Sequence, residues 1–145
     1  MSNPFFKNCG PIKVSEIIRS LNINAKNSFK DKEIHDIKDL SSSENNDITF
    51  FHSKKYKDVA KNTKASLCLT TDALKIYLPK SCLALVVENV LVSTSKITSM
   101  FYPDSINDDF DDNIMSIDDT NFKDKVSFGK NVLIGQNVTI GNNCK

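Results

Sequence analysis

From Phe122 the chain divides without remainder into FKDKVS, FGKNVL, IGQNVT and IGNNCK, a repeat with a period of six. Position one is Phe122, Phe128, Ile134 and Ile140; position two becomes Gly129, Gly135 and Gly141; position five is Val126, Val132, Val138 and Cys144. An α-helix turns once in about 3.6 residues, so a six-residue period cannot hold one helix face toward a core. The same period suits a coil of short strands and tight turns in which each turn stacks on the last. The large residue at position one then fills the tube, and glycine is expected where the backbone bends tightly. The hexads predict the start of a parallel β-helix over 122–145.

Ahead of the hexads the composition is different. Residues 1–103 hold 15 of the 19 basic and 10 of the 18 acidic residues, a net +5, whereas Asp104 to Asp119 contain seven aspartates and neither Lys nor Arg. That stretch includes DSINDDFDDN, which has few side chains able to fill a core and lacks the glycine and terminal glutamate of a calcium loop. It reads as a solvated acidic linker over 104–121. The opposing charges leave the whole chain at +1, which argues against a nucleic-acid coating protein. No window is apolar enough for a membrane span, and MSNPFFKNCGPIK lacks the apolar core of a secretory signal, so a cytoplasmic location is expected. Cys9, Cys68, Cys82 and Cys144 stand singly, without the C-x-x-C spacing of a zinc or redox site. Four free thiols are expected, with neither metal nor cofactor.

Residues 1–103 alternate between helical and strand-like spacing. Val14, Ile17, Ile18 and Leu21 fall at i, i+3, i+4 and i+7, an amphipathic helix with Ser15 near its start and Asn22 as its stop. DITFF at 47–51 follows the polar run SSSENN and is rich in β-branched and aromatic residues, which predicts a strand. Tyr56, Val59 and Ala60 continue with helical spacing. ASLCLTT at 65–71 and CLALVVEN at 82–89 are short apolar runs, as buried strands of a parallel sheet are. Val90, Thr94, Ile97 and Phe101 return to helical spacing before Pro103. The whole predicts a small α/β domain over 1–103.

These residues carry a family resemblance. The hexads resemble those of the hexapeptide-repeat transferases, which implies a left-handed β-helix with three hexads per coil and assembly as a homotrimer. DITFFHSKKY at 47–56 resembles the D-I-T-F-x-x-N-x-K-Y segment of the UDP-3-O-(3-hydroxyacyl)glucosamine N-acyltransferases of lipid A synthesis. ASLCLTT, LALVVEN, MFYP at 100–103, the acidic linker and the hexads follow in that family's order. The resemblance implies transfer of a 3-hydroxyacyl group from acyl carrier protein to the 2-amine of UDP-3-O-acylglucosamine, with the α/β domain binding the uridine end and the β-helix supplying a catalytic histidine.

A uracil ring needs flat apolar faces to stack on, and Phe50 and Tyr56 lie six apart across a strand end and a helix start. Ser53 stands where the family has asparagine, a shorter group for reading the base edge, and Lys54 stands where it usually has proline. Lys55 matches the family and is expected near a phosphate. The remaining lysines of the run, Lys57, Lys61 and Lys64, read as a solvated face. His52 lies beside the aromatic pair and His35 within EIHDIKDL, and neither has the partners of a catalytic base. No histidine follows His52, so no catalytic residue is assigned, and the 145 residues are expected to be the inactive N-terminal part of a longer acyltransferase. Two alternatives stay open: a non-catalytic binding and trimerisation module, and a sugar-nucleotide acetyltransferase using acetyl-CoA. DITFF, KY and MFYP argue against the second.

Overall fold

A computed structural model describes residues 6–23, 32–106, 113–136 and 138–145. The chain forms two compact units, Met1–Ile106 and Asn107–Lys145.

In the first unit, β1 (Ile12–Lys13) leads directly into α1 (Val14–Leu21). The helix turns Val14 and Ile17 fully inward, with Ile18 and Leu21 packed at the margin, as their spacing predicts. It ends at Asn22, whose φ of 52° is left-handed and whose N–H returns to Arg19 O at 3.1 Å. Asparagine tolerates that conformation because its short amide costs little there. β2 (Glu33–Ile34) closes antiparallel on β1, pairing Ile12 with Ile34.

A four-stranded parallel sheet forms the centre, with β3 (Asp36–Ile37), β4 (Asp47–Phe51), β5 (Leu67–Thr70) and β6 (Leu83–Val86) side by side in chain order. β5 is buried along its whole length, as a central strand covered on both faces must be. CLALVVEN differs from the buried strand its composition predicts: β6 is an edge, and Val86 is exposed. One sheet face packs Ile48, Leu67, Leu69 and Leu85 against α1 and the long helix α3 (Val90–Phe101), which contributes Val90, Ile97 and Phe101. Asn89 caps α3, its side chain accepting the Val92 N–H at 3.1 Å. The opposite face packs Phe51 and Cys68 with Ala60, Ala65 and Cys82. All four cysteines are free thiols; Cys68 and Cys82 are neighbours, and hydrogen bonding to Cys82 together with burial holds the Cys68 thiol protonated.

Asp47, the first residue of DITFF, is a structural anchor. Its carboxylate accepts Lys38 Nζ at 2.8 Å and the Glu44 N–H at 2.9 Å, closing the connection 38–46 between β3 and β4. The hydrogen bond to Asp47 raises the pKa of Lys38 against the opposing effect of burial. On the other side Tyr102 donates its hydroxyl to Asp36 at 2.6 Å, and burial followed by that bond pushes the Tyr102 pKa up to about 12.

The second unit is built differently. Among its described residues it has a 3-10 turn at Ile117–Asp119, one antiparallel bridge between Met115 and Ile134, and no longer strand. Phe122 and Ile134 are buried and Phe128 and Ile140 half-buried, whereas Val132, Val138 and Cys144 at position five are exposed. The Phe122 and Phe128 rings meet at 6.2 Å. The Asn143 N–H donates to Lys125 O at 2.8 Å and the Ser127 N–H to Cys144 O at 3.0 Å, so the fourth hexad lies beside the first. The expectation that glycine makes the tight bends does not hold, because no described glycine has a positive φ. Asparagine at position four does so instead, with Asn131 at 59° and Asn143 at 62°. Residues 107–112 of the acidic linker and Asn137 of the third hexad lie outside the described residues.

Candidate functional site

A parallel sheet gathers loops at the carboxyl ends of its strands, which is where ligands bind in open α/β folds. At the carboxyl ends of β3 and β4 lies a cleft of about 380 Å³, lined by Asp39, Leu40, Ser41, Phe50, His52, Tyr56 and Val59. Phe50 is half-buried, one side against the core and the other on the cleft. After β4 the chain turns through a 3-10 segment, Lys54–Tyr56, into the short helix α2 (Lys57–Ala60). That turn brings Tyr56 back over the cleft, 43% exposed, with Val59 beside it at 42%. Two large apolar groups left open beside a cavity are surface a ligand can cover.

The four residues read from sequence divide into two pairs. Phe50 and Tyr56 share the cleft. Ser53 and Lys55 stand outside its lining: the Ser53 side chain accepts the Lys55 N–H at 3.4 Å as the cap of the 3-10 segment, and Lys55 Nζ lies 6.0 Å from the Tyr56 ring centroid. Lys61 and Lys64 pair with Asp58 and Glu44, each at 3.1 Å, as a solvated face does. His52 sits at the cleft with its ring 5.9 Å from that of Tyr56.

Sequence reasoning missed two other residues of the lining, Asp39 and Ser41. Asp39 and Ser41 belong to the polar connection 38–46, whose only visible signal was its richness in turn formers. Asp39 Oδ1 accepts the Ser41 N–H and hydroxyl at 2.8 and 2.5 Å and the Ser42 N–H at 3.1 Å, while Oδ2 accepts the Ser42 hydroxyl. The bonds from Ser41 and then Ser42 hold the Asp39 carboxyl well below its ordinary range. A depressed folded value means a stabilising contribution that is present above the ordinary value of 3.8 and is lost as the pH falls from there toward the folded one. The Asp39 carboxyl carbon, followed by NMR, should therefore titrate well below its ordinary value of 3.8. Replacing Ser41 and Ser42 together by alanine should return it toward the ordinary range.

A second cleft, of about 400 Å³, lies between the end of α1 and the start of α3 and includes Asn22, Glu88 and Lys96. It has no aromatic ring to stack on. Among the described residues no cluster has the composition to hold a metal ion, and no helix is long and apolar enough to cross a membrane.

Residues 31–100 match the family described as UDP-3-O-(3-hydroxymyristoyl) glucosamine N-acyltransferase, LpxD. The match spans the sheet, the whole lining of the first cleft and nearly all of α3. Over these residues the first unit is similar to that acyltransferase family. Relatives named UDP-3-O-acylglucosamine N-acyltransferase agree: that of Rickettsia typhi (strain ATCC VR-144 / Wilmington) is 34% identical over 104 residues, and that of Rickettsia canadensis (strain McKiel) 33% over 103. Each comparison covers 70% of this chain and 30% of the relative. The chain thus resembles part of an LpxD-type acyltransferase and spans about 30% of the length of these relatives.

Proposed function

We propose that the first unit holds the uridine end of UDP-3-O-acylglucosamine, with the uracil between Phe50 and Tyr56. The unit serves an N-acyltransferase of lipid A synthesis that takes its 3-hydroxyacyl chain from acyl carrier protein and needs no cofactor. The observation that carries this reading is the cleft itself, where two aromatic side chains from opposite sides of a turn border one cavity at the carboxyl end of a parallel strand. The substrate and the reaction come from the names of the relatives and from the family resemblance. Lys54 and Lys55, exposed on the turn that carries Tyr56, supply positive charge on the side where a diphosphate would leave the cleft.

The hexads are proposed as the root of a left-handed β-helix and of a homotrimer. The bond from the Asn143 N–H to Lys125 O supports this, since it joins the same position of the first and fourth hexads, one coil of three hexads apart.

The reading is tested by titrating the chain with uridine 5′-diphosphate and following backbone amides by NMR. Shifts should concentrate on residues 39–41, 50–56 and 59. Phe50→Ala should weaken binding by about 1 to 3 kcal/mol, the scale of losing one base stack on an aromatic ring. A folded spectrum undisturbed by millimolar nucleotide would contradict the assignment.

A further inference from the structure

Resting on the assignment of this cleft to a uridine nucleotide, we propose that Asp39, and not Ser53, reads the edge of the base, its carboxylate accepting the imino N–H of uracil.

Position is the first argument. Asp39 lines the same cavity as Phe50 and Tyr56, whereas Ser53 lies outside the lining and caps the turn behind it. A base stacked against the rings presents its edge within the cavity, and Asp39 is the one carboxylate among the described residues that border it.

Chemistry is the second. An ionised carboxylate only accepts hydrogen bonds, with about two sites on each oxygen. Asp39 Oδ1 already takes three donors from Ser41 and Ser42, whereas Oδ2 takes the Ser42 hydroxyl, which leaves it capacity for one more. The two serines thus fix the carboxylate's orientation and its charge before any ligand arrives, so binding need not freeze a loose side chain. Uracil carries a hydrogen on N3 that matches this acceptor. Cytosine carries a lone pair on N3, which would face the carboxylate with no proton between them. The same charge repels phosphate, so the nucleotide enters with its base toward Asp39 and its diphosphate toward Lys54 and Lys55.

The test uses the 145-residue chain and three probes: uridine 5′-diphosphate, cytidine 5′-diphosphate and N3-methyluridine 5′-diphosphate, with dissociation constants from NMR titration. The wild type should bind the uridine probe at least about tenfold more tightly than the other two, the scale of a hydrogen bond to a charged group. Asp39→Asn, whose amide can offer either a donor or an acceptor, should bring the three within about twofold of one another while leaving the spectrum folded. Equal binding of all three probes by the wild type would overturn the proposal without recourse to any variant. So would an Asp39→Asn chain that keeps the discrimination. If either occurs while Phe50→Ala still loses uridine diphosphate, the cleft assignment stands and only the role of Asp39 falls. Failure of the wild type to bind uridine diphosphate at millimolar concentration overturns both.

Discussion

Phe101→Ala is expected to lower the stability of the first unit by about 3 to 5 kcal/mol, a large share of the roughly 5 to 15 kcal/mol that holds a small domain together. Phe101 is the last residue of α3 and is fully buried in the cluster where α1, α3 and the sheet meet. Its surroundings are poorly able to collapse into the space a truncation leaves. Its carbonyl accepts the Cys9 N–H at 2.8 Å, and a Cβ at Gly10 would sit only 3.1 Å from its ring. Urea unfolding followed by circular dichroism measures the loss as a lower midpoint at unchanged slope. Leu91→Ala, on the exposed side of the same helix, should move the midpoint little, which separates loss of packing from loss of helix propensity. A Phe101→Ala midpoint within error of the wild type would mean that this cluster is not the core.

A polypeptide of these 145 residues is expected to show no acyl transfer from acyl carrier protein to UDP-3-O-acylglucosamine above background. The attacking amine must lose its proton, and a positioned general base typically contributes about 10² to 10⁴ in rate. The sequence holds two histidines, His35 and His52. His35 is exposed beside β3, its backbone N–H and carbonyl engaged by Asn46 O and the Asn8 amide. His52 lines the cleft proposed for the uridine, which would lie at the opposite end of the substrate from the amine. A mass-spectrometric assay for the diacylated product decides the matter. Turnover that survives replacement of both histidines would show that the chain carries its catalytic apparatus elsewhere.

Elements whose residues repeat at the spacing of their own backbone were the legible ones. Val14, Ile17, Ile18 and Leu21 define α1 to its last residue, and Asn22 ends it as the pattern requires. DITFF forms β4 residue for residue. The two-residue strands β1 and β2 left no trace, because so short a run has no period and is held by pairing with a distant partner. Half of the cleft was legible for the same reason. Phe50 and Tyr56 sit on a strand and the turn after it, but Asp39 and Ser41 reach the cavity only because Lys38 and Asp47 pin the intervening connection. In the hexads the period revealed which residues recur, not which of them bends the backbone. Asparagine at position four recurs as faithfully as glycine from the second hexad onward, and its positive φ is a property of the folded chain.

The order of the strands bears on how the protein is made. Because β3, β4, β5 and β6 lie side by side in the sequence in which they are translated, each new strand leaving the ribosome finds its neighbour already present as an open edge. The helix that seals one face of this sheet emerges only after all four strands. Until Phe101 is released, Ile48, Leu67, Leu69 and Leu85 face α1 with only part of their cover. At the usual 5 to 20 residues per second, roughly 1.5 to 6 seconds separate the synthesis of β5 from completion of α3. During that interval the nascent sheet is a sticky surface, and a pause in translation just before Val90 should prolong its need for a chaperone.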